Sequence, residues 1–263
     1  MSEATIRLVS FLGVFSLVGL AELFWPRRVL TVPKGQRWLC NNAIVVIDSV
    51  FVRLALPVMP TGVAGIAGLN GWGLLNLLEV RLWLKVVLVI LALDLIIYLQ
   101  HRAFHRIPLF WRFHRMHHTD LDIDVSSGNR FHPLEILFSL VIKMAAVVSL
   151  GAPAIAIVIF EVLLNATSLF NHGNLRIPAV VDRWLRLVLV TPDMHRVHHS
   201  IIPRETDSNF SFNLPWWDRL LGTYRDQPLE GHIGMSLGLK EFRDPDRLGI
   251  GYLLMLPFRG RSG

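Results

Sequence analysis

The sequence has one cysteine, Cys40, among 263 residues. That excludes an intramolecular disulfide and any cysteine-based metal site. Charge is also scarce. Charged residues make up 17% of the chain, against 52% hydrophobic, where a soluble domain carries about 25% charged. With a mean hydropathy of +0.47, the deficit points to lipid as the solvent. The formal charge of +6 accompanies no nucleic-acid motif, so the arginines read as a membrane-side bias and not a nucleic-acid surface. No repeat, low-complexity tract or linker breaks the chain. It reads as a single domain, 1–263.

Long apolar runs are what the chain does have. A helix needs about 20 apolar residues to cross a bilayer. Five segments approach this, at about 5–25, 42–66, 84–104, 134–151 and 153–171. The first shows no clear small-residue cleavage site, so it reads as a retained transmembrane helix. The second is weakened by Asp48, Arg53 and Pro57. The last two, joined by Gly151, Ala152 and Pro153, form a tight hairpin. The expected fold is an all-α multi-pass bundle of about four to five membrane segments under a cytoplasmic, histidine-rich helical cap. Residues 1–83 would be N-terminal membrane segments, 84–225 the catalytic core and 226–263 a tail.

Orientation follows from the short loops. Arg27, Arg28, Lys34 and Arg37, then Arg102, Arg106, Arg112 and Arg115, then Arg176, Arg183 and Arg186 all follow odd-numbered spans. Positive loops stay inside, so 102–133 and 173–263 are expected in the cytoplasm and the N-terminus outside. Gly62, Gly65, Gly68, Gly71 and Gly73 lack the strand–turn–helix context of a nucleotide loop, and read as close helix packing or an outer loop. Residues 74–85 suggest an amphipathic stretch along the interface.

Ten of the 11 histidines fall between His101 and His199. His101 and His105 form HxxxH at the inner end of the third span, a spacing that puts both on one helix face. His114, His117 and His118 form HxxHH, and His195, His198 and His199 repeat it. Imidazole suits iron, zinc and copper, and eight imidazoles exceed what one metal needs. Two metals are therefore expected. A haem would use only two axial histidines. His172, in FNHGN, and His132, in RFHPLE, are further candidate ligands, with a helix-start role competing for His132. His232 lies outside the pattern and reads as a surface residue. Asp94 and Tyr98 share the face of His101. Asp94 is the expected orienting partner, because a buried membrane carboxylate needs one and a ligand histidine usually donates its second N–H. Asp193, Asp207 and Asn209 are similar candidates near the last cluster.

The ordered motifs DLIIYLQHRAFH, FHRMHH, RFHPLE, FNHGN, DMHRVHHS and NFSFNLPWWDRLLGTYR resemble the fatty acid hydroxylase/sterol desaturase superfamily of membrane di-iron oxygenases. The resemblance runs from about Asp94 to Arg225, with a weaker echo at GLKEFRDP. It implies iron ligation by His101, His105, His114, His117, His118, His195, His198 and His199, with His172 matching a further family histidine and His132 an HP position. Trp217, Asp218, Arg219, Gly222 and Thr223 match a segment that folds back over the metal site, where Trp217 packing and an Asp218–Arg219 network are expected. The resemblance further implies two iron ions, O₂ as co-substrate and a membrane lipid oxidised at C–H, by hydroxylation or desaturation. With no fused cytochrome b5-like domain, flavin or dinucleotide motif, electrons are expected from a separate ferredoxin- or cytochrome b5-like donor. The short form suits a bacterial inner membrane. Spacing alone also admits zinc. A zinc hydrolase is one rival, though no HExxH is present; a protein that stores or transports metal is another.

Overall fold

The computed structural model describes residues 1–259. Regular structure among them is helical, with two isolated bridges, Pro26 to Leu175 and Ser200 to Leu237. Five segments are long and apolar enough to cross a membrane: Glu3–Phe24, Lys34–Leu69, Leu82–Arg106, Pro133–Leu150 and Ala154–Asn171. The protein is an integral membrane protein.

Helix α1 (Glu3–Phe24) opens on Ser2, whose hydroxyl accepts from the Thr5 amide, a favourable N-cap. The second segment begins eight residues earlier than its apolar run suggests and is broken. It comprises α2 (Lys34–Ala55) and α3 (Pro60–Leu69). Pro57 forces Leu56 into extended backbone, since a residue before proline avoids the helical region. The early start has a polar cause. Arg37 and Asn41 are buried and bond to the 120–127 loop, so this end of α2 is held by protein.

Helix α4 (Leu82–Arg106) has 25 residues, about 37 Å at 1.5 Å per residue. That exceeds a hydrocarbon core of about 30 Å, so the helix is long enough to cross with turns to spare. The expected amphipathic stretch at 74–85 is not one element. Leu74–Asn76 is a single 3₁₀ turn, and 77–81 is a loop with Leu77 and Leu78 exposed.

Helices α6 (Pro133–Leu150) and α7 (Ala154–Asn171) form the hairpin. Gly151 ends α6 at φ +67° and lies against Gly73 at φ +96°. A Cβ on Gly73 would fall 2.0 Å from the Gly151 nitrogen. This close approach explains one member of the glycine-rich run; Gly62, Gly65 and Gly68 lie within α3. The core between spans joins Val89, Leu93 and Ile97 of α4 to Val147 of α6 and Ala156, Ile157 and Phe160 of α7. In the bundle, Glu161 accepts from Lys143 (2.9 Å) and pairs with Arg7 (2.7 Å), linking α7, α6 and α1 where an unpaired charge would be costly.

The remaining chain forms short helices at the α4 C-terminal end, including α5 (Pro108–His114), α8 (Ala179–Leu185) and α9 (Pro192–His198). One buried arginine organises much of it. Arg37 donates to Asp120 (2.7 and 2.9 Å), Asp124 (2.6 Å), Ser127 (3.1 Å) and the Asp122 carbonyl (3.1 Å). Arg130 donates to the Met116 carbonyl, Asn41 and Thr119. Buried ions are tolerated when geometry and hydrogen bonds are this complete. Asp120 is held well below the usual carboxylate range: burial opposes this, and Arg37 and Arg130 outweigh it.

Candidate metal centre

The fold regroups the histidines. His101, His105, His114, His118 and His198 offer nitrogens that lie within 4.8 Å of one another. His117, His172, His195 and His199 form a second group on the same criterion. Each group draws from different motifs. Both HxxHH motifs divide in the same way: His114 and His118 go to one group and His117 to the other, and His195 and His199 go to one group and His198 to the other. The groups adjoin: the rings of His118 and His199 stack at 4.7 Å.

The hydrogen bonds assign the ring tautomers. The Nδ1 of His101 donates to the Phe210 carbonyl (2.7 Å), that of His172 to Ser168 (2.7 Å), that of His198 to Ser208 (2.7 Å) and that of His117 to Arg130 (3.3 Å). A carbonyl only accepts, so each Nδ1 carries the proton and each Nε2 is bare. His114 Nδ1 faces Glu135 at 2.6 Å, and His105 Nδ1 faces Asp207 at 3.3 Å. Two of these bare atoms meet directly, Nε2 of His117 and of His172 at 3.1 Å, and Nε2 of His101 lies 3.1 Å from that of His114. Among the described residues, further atoms have no hydrogen-bond partner: Nε2 of His105 and His198, and both nitrogens of His118.

Two lone pairs at 3.1 Å repel unless a cation lies between them, and orphaned buried acceptors are costly. Nitrogens about 2.1 Å from one cation are about 3 Å apart when adjacent and about 4.2 Å when opposed. The observed separations, from 3.1 Å to within 4.8 Å, match that spacing with slight excess at the wide end. The residues fit two metal ions. Burial, reinforced by neighbouring histidines, holds His117, His118, His195, His198 and His199 well below the usual histidine range. Burial pushes His172 down to about 4 and His114 to about 3. All are neutral at pH 7, as ligation requires.

Several expected roles are redistributed. His132 joins neither group. Its Nδ1 accepts from the Leu134 amide and its Nε2 donates to the Leu254 carbonyl (both 3.1 Å), so it caps α6. Asp94 does not orient His101; it accepts from Asn213 (2.8 Å), the Leu214 amide (3.3 Å) and Trp217 (2.8 Å). Those bonds hold the 213–217 segment against α4. The Tyr98 hydroxyl donates to Thr223 (2.8 Å), which donates to Asp218 (2.7 Å). Asp218 accepts from the Phe210 and Ser211 amides and so fixes the carbonyl that orients His101. Arg219 takes no part in that network: it donates to the Arg186 carbonyl and lies 3.9 Å over Tyr224. Asn209, at φ +51°, turns the chain between Ser208 and Phe210, and its amide bonds to Met194 and Arg225. Asp193 binds Arg27 and Arg196 instead of a ligand histidine. His232 is buried, not superficial, because it lies 3.7 Å from Asp193 in that same cluster.

Glu135 and the four backbone carbonyls are partners that motif spacing does not mark. Only RFHPLE carries a signal, an acid in the first turn after proline. Phe131 stacks on His117 at 4.4 Å, Trp111 lies against His105, and Phe210 and Phe212 flank His101. They wall the site with apolar rings.

Comparison with known proteins agrees with this site. The fatty acid hydroxylase family model matches residues 86–223, which include all nine grouped histidines. An ornithine lipid hydroxylase of Rhizobium tropici is 32% identical over 144 residues, covering 55% of this chain and 43% of that protein. An alkylglycerol monooxygenase of Xenopus tropicalis is 26% identical over 235 residues, covering 85% of this chain and 49% of that protein. A fatty acid hydroxylase of Lecanicillium sp. is 29% identical, covering 59% and 46%. The chain thus spans less than half the length of these relatives. No solved structure matches. The matched region covers more than half of the sequence and contains the whole candidate centre, and the chain belongs to the fatty acid hydroxylase family.

Proposed function

We propose that the protein is a membrane lipid oxygenase that holds two iron ions and uses O₂ to hydroxylate or desaturate a lipid C–H bond. The observation that carries this is the pair of converging imidazole groups, five and four, with bare nitrogens facing one another. When bound, the iron supplies the activation of O₂ that an unpolarised C–H bond requires.

The chain's own residues do the rest. His101, His105, His114, His118 and His198 hold one ion, and His117, His172, His195 and His199 the other. Glu135, Asp207 and the carbonyls of Phe210, Ser208, Arg130 and Ser168 fix ring orientation and basicity. Asp218 and Asn209 shape the 208–211 backbone that presents two of those carbonyls. Phe131, Trp111, Phe210 and Phe212 exclude water, so the site is dry when the alkyl chain enters from the bilayer. Positioning of the carbon, and not a side-chain base, then selects the product. His132 acts as a helix cap.

The arginine-rich loops favour a cytoplasmic location for the centre, in keeping with a bacterial inner membrane. A ferredoxin- or cytochrome b5-like protein with its reductase is the electron donor. The named activities of the relatives favour a polar lipid or ether lipid as substrate. The donor set argues against hydrolytic zinc, which commonly uses three protein ligands and a general base. The location of the groups beyond the α4 core argues against transport, which needs a site near mid-membrane.

Oxygen consumption by the reconstituted protein with a reductant and a bacterial lipid extract tests the function. Lipid-dependent uptake of O₂, with one oxygen atom from ¹⁸O₂ found in a hydroxylated product or a double bond formed, is expected. Lipid hydrolysis without O₂ uptake would overturn the oxygenase reading.

A further inference from the structure

Asp48 is a buried group with no part in holding the histidines. It lies on α2 in the apolar run IVVIDSVFV, outside the family-matched residues 86–223. It is 8% exposed, and its Oδ1 has no hydrogen-bond partner among the described residues. The titratable group that acts on it is a second buried acid, Glu135. Among the described residues no ion pair compensates it, whereas Glu161 among the other spans pairs with both Lys143 and Arg7.

Glu135 is 4% exposed. One of its oxygens faces His114, and Oε2 is also unpartnered. Helices α2 and α6 pack against one another, and Glu135 acts electrostatically on Asp48. Two acids, each with an oxygen unpartnered among the described residues, therefore neighbour one another beside a candidate metal ligand. A carboxylate inside an apolar span is costly and marks a functional site by default. What both oxygens lack, among the described residues, is a hydrogen-bond partner.

We propose that Asp48 is a specificity residue that binds the polar group of the lipid substrate, a hydroxyl or an ammonium, and so sets which carbon lies at the centre. The proposal rests on the lipid oxygenase reading. It places selection on the half of the chain outside the shared catalytic region, while the histidine half is common to the family. A carboxylate accepts from O–H or N–H, and an ether oxygen offers it no proton.

The test is equilibrium binding to the full-length, iron-loaded protein in nanodiscs. The probes are radiolabelled hexadecan-1-ol and its displacement by hexadecylamine or hexadecyl methyl ether. The wild type should favour the alcohol, the amine or both over the ether by about tenfold or more. Preference for the amine alone identifies a cationic group, and for the alcohol alone a hydroxyl. Asp48→Leu should bind all three alike, with unchanged iron content. Should Asp48→Leu fail to fold, Asp48→Asn should lose the preference for the amine and weaken that for the alcohol. A wild type that binds the probes equally or not at all, or variants that keep full discrimination, would overturn the proposal. Failure of the oxygenase reading is distinct: it appears as absent O₂ uptake while binding discrimination persists.

Discussion

At the scale of single residues, the centre depends on groups that bind no metal. Glu135 facing His114 at 2.6 Å both fixes the ring and raises its basicity. Glu135→Gln should lower metal affinity or activity by about 10–100-fold, read by iron titration, with the fold intact by circular dichroism. His132→Ala should leave the iron content unchanged and cost about 1 kcal/mol of stability through the lost cap. A loss of half the iron in that variant would restore His132 as a ligand. Acid should also act residue by residue. His172 and His114, at about 4 and 3 in the fold, are neutral when folded, while unfolded histidine titrates near 6.5. Their stabilising contribution is therefore complete above about 6.5 and is lost as pH falls toward about 4. Thermal denaturation of metal-free protein should show falling Tm across that window; a flat profile would contradict it.

At the scale of elements, spacing made the three histidine motifs legible, but not their pairing. HxxHH reads as one helix face, yet both copies divide alike, His117 and His198 each leaving its i, i+4 pair for the other group. Spacing marks a shared face but not that the face serves two groups. The span that sequence placed at 42–66 shows the same limit. Its apolar run marks where lipid contact is plausible, whereas the true start at Lys34 depends on Arg37 meeting Asp120 and Asp124 far along the chain. Asp94 was recognisable as a buried acid needing partners, but helical facing suggested His101, and the partners come from 213–217. Asp94→Ala should release that segment. Increased proteolysis or amide exchange confined to about 208–220, with iron still bound, is the expected readout. At the hairpin, Gly73→Ala should destabilise the protein clearly, since its Cβ meets Gly151 backbone and φ +96° is unfavourable for alanine. A Tm unchanged from wild type would show that the turn relaxes freely.

At the scale of the whole molecule, composition alone announced the membrane class, and five apolar segments follow from it. Where they end relative to the centre was less legible. The length of α4 beyond a bilayer core and the buried network around Arg37 create a protein-walled compartment in which nine imidazoles stay neutral and dry. Nothing in a one-dimensional pattern indicates that depth of burial. It arises because loops at 119–130 and 208–223, unremarkable in hydropathy, supply carbonyls and carboxylates behind the rings. The fold thus assembles two groups from motifs spread over His101 to His199, which is why the clusters implied a pair of metals but not which histidines share each.

Metal stoichiometry tests this account most directly. Protein purified without metal-affinity chromatography and loaded anaerobically with iron(II) should hold about two iron ions per chain, measured by plasma mass spectrometry. His172→Ala should weaken one of the two and spare the other. Fewer than about one ion per chain in the wild type would contradict the dinuclear centre.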